Sequence, residues 1–319
     1  MLHIITLHFT TPAWLEIQKR HIEKYTTRYD PNTGQQNYKV WLGFYNQELP
    51  SDFVVPTNWE TIDLNKLYPP DGRNEHYLQT EWMYHNIVKD NMKDDDILVF
   101  MDSDAFPVIP HWASELQGIL TDNQGRLMNT QASRETLGYP EVVGIYQLEN
   151  RGIAQTDNYY PAPDLCFFAT TKKVWEEKQL QWTIDPSNPE HQNPAFGLLD
   201  IIREKEVREC KLMRTNIFDA HNVMFGVYGN MIYHQACGSR AIIGRPLETA
   251  GAKAETSRHC FTGYDIFGRQ KLGNWYREDF IKKCSDIVET NTQIFDVIYN
   301  RLQEDLDCEF VRRYFLGIP

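Results

Sequence analysis

Apolar, β-rich runs alternate with helical patterns along the first part of the chain, and this alternation constrains the fold more than any other feature. Residues 2–9, 38–46 and 97–101 are typical of strands, and the unbroken apolar run ILVFM (97–101) is typical of a strand covered on both faces. Residues 13–29 and 75–91 place apolar side chains at helical spacing. The alternation predicts an α/β fold whose parallel strands are joined by right-handed crossovers.

Later segments complete the predicted organisation of the chain. Further strands are predicted at residues 61–64, 142–150, 164–171 and 222–234, the last being a strand pair or one long strand. Residues 193–210 predict a helix, residues 262–276 a long loop or lid, and residues 280–302 a terminal helix. We expect a Rossmann-like domain over residues 1–245, with a mixed, mostly parallel central sheet flanked by helices. We expect a loop and a helical extension, packed on the same domain, over residues 246–319.

Composition and absent motifs exclude several classes of protein. A formal net charge of −12 argues against a nucleic-acid partner, because binding the phosphate backbone calls for clustered Lys and Arg. The six cysteines form no C-x-x-C pair, which argues against a zinc site. No phosphate-binding loop, dinucleotide fingerprint or G-x-S-x-G elbow is present.

The chain also carries no sign of membrane insertion or export. Its first residues, MLHIITLHF, lack the basic region and long apolar core of a signal peptide and read as a strand. No apolar run reaches 18 residues, so no transmembrane segment is predicted. We therefore expect a reduced, cytoplasmic protein.

Two aspartates, Asp102 and Asp104, directly follow the apolar run 97–101. Residues two apart on an extended backbone point the same way, so both carboxylates can converge on one cation. Ligands of α/β sheets bind at the carboxyl ends of strands, and oxygen ligands suit Mn²⁺ or Mg²⁺. An Asp-rich turn explains the same residues without a metal, but the place at a strand end favours a metal site. The acidic residues 94–96 before the run predict only a solvated turn.

Three segments of the sequence resemble glycosyltransferases with the GT-A fold, of the family 2 type, which use nucleotide-sugar donors. ILVFMDSDAFPV (97–108) is similar to the D-x-D strand end of that family. VYGNMIYHQACGSR (227–240) is similar to the place where the family supplies a late histidine ligand, here His234. DGRNEHYLQTEWMYHNIV (71–88) resembles the nucleotide-side segment and the helix before the D-x-D strand. The resemblance covers about residues 2–245 and implies a metal-dependent transferase using Mn²⁺ or Mg²⁺.

The resemblance implies a third metal ligand and a catalytic base. Imidazole is a reasonable ligand beside two carboxylates, so His234 is the predicted third ligand, with His221 and His76 as weaker candidates. Inverting members place a carboxylate base at the start of a helix after the acceptor loop, and Asp200 in AFGLLDIIREK occupies that place. The family often has Glu-Asp there, whereas this chain has Leu199-Asp200. Alternative bases are Asp164, Asp185 and Glu149.

Residues near the strand ends are predicted to contact the donor and the acceptor. The predicted donor contacts are Thr6, His8, Thr10, Asn46, Arg73, His76 and Ser103. Members of the family usually have a carboxylate near the position of Asn46, so the base of the donor is left open. Aromatic faces stack on sugar rings, so Tyr159, Tyr160 and Trp182 are predicted on the acceptor side, with ordinary packing as the equal alternative.

These residues together predict an enzyme that transfers a sugar from a nucleotide-diphosphate sugar to a hydroxyl of a glycan or another glycoconjugate acceptor. Inversion at the anomeric carbon is expected from Asp200, and a retaining enzyme of the same fold is the alternative. A sugar nucleotidyltransferase fits less well, because the Gly-rich basic loop after the first strand is absent. A non-catalytic carbohydrate-binding protein is the rival from another class.

Overall fold

A computed structural model describes residues 1–9, 12–45, 48–67, 75–121, 130–132, 140–146, 162–183, 194–212 and 226–234. The predicted loop and helical extension over residues 246–319 lie outside the described residues, as does the predicted terminal helix 280–302. Within the described ranges, no helix is long and apolar enough to cross a membrane.

Eleven strands and six α-helices make up the described part of the chain. In chain order they are β1 (Leu2–Phe9), α1 (Pro12–Tyr25), β2 (Tyr38–Tyr45), β3 (Trp59–Asp63), α2 (Leu64–Leu67), α3 (Glu75–Met83), β4 (Ile97–Asp102), β5 (Ala105–Pro107), α4 (Trp112–Thr121), β6 (Thr130–Ala132), β7 (Val142–Tyr146), β8 (Pro163–Thr171), α5 (Lys172–Glu177), α6 (Pro194–Glu204), β9 (Glu209–Leu212), β10 (Gly226–Tyr228) and β11 (Ile232–His234). A π-helical turn over Tyr84–Val88 and a 3-10 turn over Lys89–Asn91 continue from α3.

The central sheet has eight strands in the order β3-β2-β1-β4-β8-β7-β9-β6. Strands β3, β2, β1 and β4 run parallel to one another, and β7 runs parallel to β9. Strand β8 is antiparallel to both of its neighbours, and β6 is antiparallel to β9. The predicted α/β fold with a mixed, mostly parallel sheet is therefore confirmed.

Helices cover both faces of the sheet, as the unbroken apolar run of β4 predicted. Ile97, Val99 and Met101 point into one core layer, which also holds residues of α1 and α4. Leu98 and Phe100 point into the other layer, together with residues of α3, α5 and α6. This alternation follows from the two-residue period of a strand. Strand β4, which ends at the edge with β1, is thus packed on both of its faces.

Strand β1 is the point at which the strand order reverses. It has β2 on one side and β4 on the other, and all three run parallel. Crossovers of one hand place their helices on opposite faces of a sheet when the strand order reverses, which opens a crevice at the carboxyl ends of those strands. Leu7 of β1 lies in register with Asp102 of β4. The predicted aspartates therefore lie at the edge where this architecture places ligands.

The bounds of several predicted elements differ from the structure. The helix predicted at 13–29, for example, spans Pro12–Tyr25. The short strand predicted at 61–64 spans Trp59–Asp63. The helix predicted at 193–210 ends at Glu204, because Glu206 adopts a positive φ of 50° and the chain then enters β9. The described part of the segment 222–234 is a strand pair, the first of the two predicted alternatives, since Gly229 and Asn230 adopt positive φ angles between β10 and β11.

Residue Asp96 is also placed differently from the prediction. The acidic residues 94–96 were expected to form a solvated turn, but the Asp96 side chain is buried. Its carboxylate accepts a hydrogen bond from the amino group of Met1 at 2.7 Å and lies 3.4 Å from His3 Nε2. A carboxylate buried with a cationic partner fixes the amino end of β1 against β4. Asp94 and Asp95 are exposed, as predicted.

Candidate functional site

Two aspartates and one histidine converge at the carboxyl end of β4. Asp102 is the last residue of β4, and Asp104 immediately precedes β5. Strand β5 pairs antiparallel with β11, which places His234 opposite Ala105. Each of the three side chains offers one ligand atom, and these atoms all lie within 4.8 Å of one another. The sheet pairing thus brings His234 to the aspartates from about 130 positions along the chain.

The spacing of these atoms fits a single octahedral cation. Opposite ligands of an ion with bonds near 2.1 Å lie about 4.2 Å apart. A span of 4.8 Å therefore needs only small side-chain adjustments to close on one ion. Carboxylate oxygen and imidazole nitrogen are ligands that Mn²⁺ accepts, and carboxylates also suit Mg²⁺. Within the described ranges, this is the one group of three His, Cys, Asp or Glu residues whose possible ligand atoms lie this close together.

The three side chains are largely withdrawn from water. The exposed fraction is 4% for the side chain of Asp104, 7% for His234 and 26% for Asp102. Asp102 is thus the member of the group that remains accessible to a ligand arriving from solvent. Charges in such a place interact strongly, since little water screens them.

Burial and neighbouring charges shift the pKa values of this group. Burial raises the pKa of Asp102, and the charge of Asp104 adds to the effect, while His76 and His234 oppose it. Burial alone would lower the pKa of His234, but its interactions with Cys166 and Asp104 raise that pKa well above the ordinary value. Burial also raises the pKa of the Cys166 thiol to about 12, so at neutral pH the anion beside His234 is Asp104. The site is one that stabilises positive charge.

His234 faces Asp104 through one ring nitrogen. Its Nε2 lies 3.4 Å from Asp104 Oδ1. Its Nδ1 is buried and has no hydrogen-bond partner among the described residues. A histidine ligand usually donates its second ring N–H to a partner. Cys166, which the sequence analysis did not single out, is the neighbour that perturbs the imidazole there.

The predicted donor contacts fall into three groups. His76 of α3 and Ser103 lie at the site, with His76 Nε2 3.4 Å from Asp102 Oδ1 and the Ser103 N–H donating to that oxygen at 2.8 Å. Thr6 and His8 are fully buried beneath the site and bond to Gln18, so contact with a donor stays a prediction for both. Thr10, Asn46 and Arg73 lie outside the described residues.

The predicted base, Asp200, does not lie in a first helical turn. It is the seventh residue of α6 and is exposed, so the expected stabilisation by the helix N-terminus does not apply to it. The alternative Asp164 accepts a hydrogen bond from the Cys166 N–H at 3.2 Å. Asp185 and Glu149 lie outside the described residues, as does the alternative metal ligand His221. The catalytic role of Asp200 stays a prediction.

The aromatic residues predicted on the acceptor side divide in a similar way. Trp182 is buried and packs against Phe100, Phe168 and Trp175 with ring centroids 5.5–6.4 Å apart. A sugar needs an exposed ring face for stacking, so the packing interpretation of Trp182 is the correct one. Tyr159 and Tyr160 lie outside the described residues.

Gln18 of α1 is the site residue that the sequence analysis missed. Its side chain is fully buried and donates hydrogen bonds to the backbone carbonyls of Asp102 and Ala105. A polar residue among the apolar positions Leu15 and Ile22 of an amphipathic helix is the only local signal of this role. That signal does not identify the partner, since the contacted residues lie more than 80 positions away.

Comparisons with known proteins find similar structures and no similar sequences. The chain is similar to the galactosyltransferase LgtC in complex with donor and acceptor sugar analogs, at a TM-score of 0.31 and 11% identity, over 69% of this chain and 68% of that chain. An active-site mutant of LgtC gives a TM-score of 0.33 and 11% identity, over 66% and 72% of the two chains. The protein A197 from STIV gives 0.32 and 12%, over 73% and 93%. No family model and no curated protein matches the sequence. Likenesses of this size concern the α/β architecture alone.

Proposed function

We propose that this protein is a metal-dependent glycosyltransferase, which moves a sugar from a nucleotide-diphosphate sugar to a hydroxyl of a glycan or another glycoconjugate. The observation that carries the proposal is the convergence of Asp102, Asp104 and His234 where β1 and β4 end at the reversal of strand order. That edge is where open α/β sheets bind nucleotides. The acidic and imidazole ligands supply the affinity for a cation that such donors require.

The three residues would hold Mn²⁺ or Mg²⁺, and the bound ion would neutralise charge on the departing diphosphate. Asp104 and His234 are buried and define the protein side of the ion. Asp102 is partly exposed and faces His76, whose Nε2 lies 3.4 Å away. A partly exposed imidazole beside the proposed ligands is suited to contact a phosphate oxygen of the donor. His76 is therefore proposed to contact the diphosphate.

The stereochemistry belongs to the same proposal. Inversion requires one carboxylate to take the proton of the acceptor hydroxyl, and Asp200 is the residue proposed for that step. Two observations support this role. Asp200 is exposed on α6. Apolar residues of α6 pack together with residues of β8, the strand beside β4. The anomeric configuration of the product decides between inversion and the retaining alternative. Loss of activity in Asp200→Asn with unchanged donor affinity is the expected result.

Replacement of a proposed metal ligand tests the core of the proposal. Asp104→Asn removes a buried anionic ligand, so we expect its Mn²⁺ affinity to fall by at least about 100-fold, the upper range seen when outer-shell residues are changed. Isothermal titration with Mn²⁺, followed by sugar transfer from a panel of nucleotide sugars, measures both effects. Asp95→Asn is the matched control, because Asp95 is exposed at the opposite end of the same strand.

Three outcomes separate the proposal from its rivals. Mn²⁺-dependent sugar transfer that is lost in Asp104→Asn and kept in Asp95→Asn supports a glycosyltransferase. Sugar binding without any transfer or hydrolysis of the donor would instead identify a carbohydrate-binding protein. Nucleotide-sugar synthesis from a nucleoside triphosphate would identify a nucleotidyltransferase. Equal Mn²⁺ affinity in wild type and Asp104→Asn would disprove the metal site itself.

A further inference from the structure

The amide of Gln18 uses its full hydrogen-bonding capacity at the turn that carries Asp102 and Asp104. Its Nε2 donates to the carbonyl oxygen of Asp102 at 2.7 Å and to that of Ala105 at 2.9 Å. Its Oε1 accepts from the hydroxyl of Thr6 at 3.0 Å and lies 2.9 Å from His8 Nε2. An amide offers two N–H donors and one oxygen with two lone pairs, so no capacity is left over.

The orientation of this amide follows from its partners. The carbonyl oxygens of Asp102 and Ala105 can only accept hydrogen bonds, so the NH₂ group must face them. The amide oxygen then faces His8 and can only accept, so His8 Nε2 carries the proton. The four bonds thereby fix one orientation of the glutamine and one proton position of His8.

These bonds span the aspartate turn and tie it to the neighbouring strand. The two carbonyls accepting from the NH₂ group flank Ser103 and Asp104, so a single side-chain group sets the distance across the turn. The amide oxygen connects the same group to the carboxyl end of β1. The side chain is fully buried, and burying an amide without hydrogen-bond partners is strongly unfavourable. The four bonds therefore account for a polar residue at this core position.

A second contact of α1 supports the same region. His21, one turn after Gln18, packs against Phe106 of β5 with ring centroids 4.2 Å apart. Phe106 packs in turn against Tyr233, with ring centroids 5.0 Å apart, and Tyr233 precedes His234. Helix α1 thus contacts β5 directly and is linked to β11 through Phe106.

We propose that Gln18 is a positioning residue, which holds the Asp102–Ala105 turn in the geometry that binds the cation and the diphosphate of the donor. The inference rests on the proposed metal site and extends it to a residue that touches neither ion nor substrate. Partners of metal ligands outside the coordination shell commonly change affinity by about 10- to 100-fold when they are replaced. Gln18 acts through the backbone of the turn.

Two substitutions test this role against a matched control. Gln18→Met keeps the length of the side chain and removes all four bonds, so Mn²⁺ affinity should fall by about 10- to 100-fold. Thr6→Val removes one bond and should lower the affinity about 2- to 10-fold, the effect of a single hydrogen bond. Thr170→Val is the control. The hydroxyl of Thr170 donates to the carbonyl oxygen of Glu141 at 2.7 Å. Thr170 lies on β8 opposite Leu98 of β4, away from the site.

The measurement is the Mn²⁺ electron paramagnetic resonance spectrum of each full-length variant, which counts free ion and reports the symmetry around bound ion. Thermal unfolding of the same samples records stability. A purely structural role would lower stability in Thr6→Val and Thr170→Val alike and leave the bound-ion spectrum unchanged in both. The inference expects more free Mn²⁺ and an altered bound-ion spectrum in Thr6→Val, and neither change in Thr170→Val. If Gln18→Met does not fold, the two threonine variants still decide the matter.

The outcomes also separate this inference from the proposed function. A wild-type protein that binds no Mn²⁺ would overturn the metal site and the role of Gln18 with it. A wild-type protein that binds Mn²⁺, with Gln18→Met and Thr6→Val binding it as tightly and with the same spectrum, would overturn the role of Gln18 alone. Weakened binding in both site variants with wild-type affinity in Thr170→Val supports the inference.

Discussion

At the scale of single residues, the pKa values of two buried histidines are shifted in opposite directions at the two ends of β1 and β4. At the carboxyl end, Asp104 beside His234 raises the pKa of that imidazole. At the amino end, burial lowers the pKa of His3 to about 4, although Asp96 opposes the shift. The Trp41 indole N–H donates to His3 Nδ1 at 3.1 Å, so that nitrogen is an acceptor and the ring is neutral. The pKa of a buried histidine is thus lowered at the amino end and raised at the carboxyl end.

The low pKa of His3 predicts a dependence of stability on pH. The unfolded chain binds a proton at this histidine below about pH 6.5, while the folded protein does so only below about pH 4. The free energy of unfolding is therefore highest above pH 6.5 and falls as the pH drops toward 4, by about 3 kcal/mol in total from this fully buried group. Urea unfolding at pH 7 and pH 5 measures the change.

His3→Asn is the control for this dependence, because the asparagine oxygen can accept from the Trp41 indole without titrating in this range. The variant should lose about 2 kcal/mol of the difference in unfolding free energy between pH 7 and pH 5. An imidazole of His3 that titrates near pH 6.5 in the folded protein, followed by NMR, would contradict the prediction.

At the scale of elements, close backbone approach decides how α6 packs. A Cβ added at Gly197 would lie 2.1 Å from the carbonyl oxygen of Thr183 and 2.6 Å from its Cγ2. Among the residues that the structure describes, no atom lies within 4 Å of a Cβ added at Gly118 of α4. Alanine is favoured over glycine in a helix by about 1 kcal/mol when nothing else changes. Replacing glycine by alanine should therefore change the stability in opposite directions in the two helices.

We expect Gly197→Ala to destabilise the protein by about 1–3 kcal/mol, since the backbone of Thr183 must move. Gly118→Ala should stabilise it by up to about 1 kcal/mol. Chemical denaturation of both variants measures the two changes. A stabilising effect of Gly197→Ala would contradict this close approach, in which an added Cβ would lie 2.1 Å from the Thr183 carbonyl oxygen.

The elements also show what the sequence could predict. Strands β1, β2 and β4 carry their own periodicity, so their bounds and the place of Asp102 and Asp104 were predictable from local residues. His234 was predictable only through resemblance, because its partner strand β5 has three residues and no pattern of its own. The helices α4 and α5 and the strand β5 were not predicted. The bonds of Gln18 join positions more than 80 residues apart, which no local pattern encodes.

At the scale of the whole molecule, the site lies where the two sheets meet. The eight-stranded sheet provides Asp102, and the three-stranded sheet β10-β11-β5 provides His234. A ligand that binds there contacts both sheets and should stabilise the entire fold. A ligand present at 100 times its Kd raises the free energy of unfolding by about 2.7 kcal/mol if only the native state binds it.

We therefore expect a nucleoside diphosphate and Mn²⁺ together to raise the melting temperature more than either alone. A panel of nucleoside diphosphates, scanned by thermal unfolding with and without Mn²⁺, also identifies the base. Asp104→Asn should lose the combined effect, and Asp95→Asn should keep it. A stabilisation that is the same in Asp104→Asn would place the ligand elsewhere on the protein.

The wide separation of the three proposed ligands has a consequence for how the protein matures. Asp104 and His234 lie about 130 residues apart, and their meeting depends on the pairing of β5 with β11. Contacts between such distant positions form late, since the entropy of closing the loop is lost before the contact is gained. A chain still being synthesised has both carboxylates long before it has the imidazole. If the three residues bind a cation as proposed, we expect only the finished fold to bind it tightly, and an early intermediate to release it.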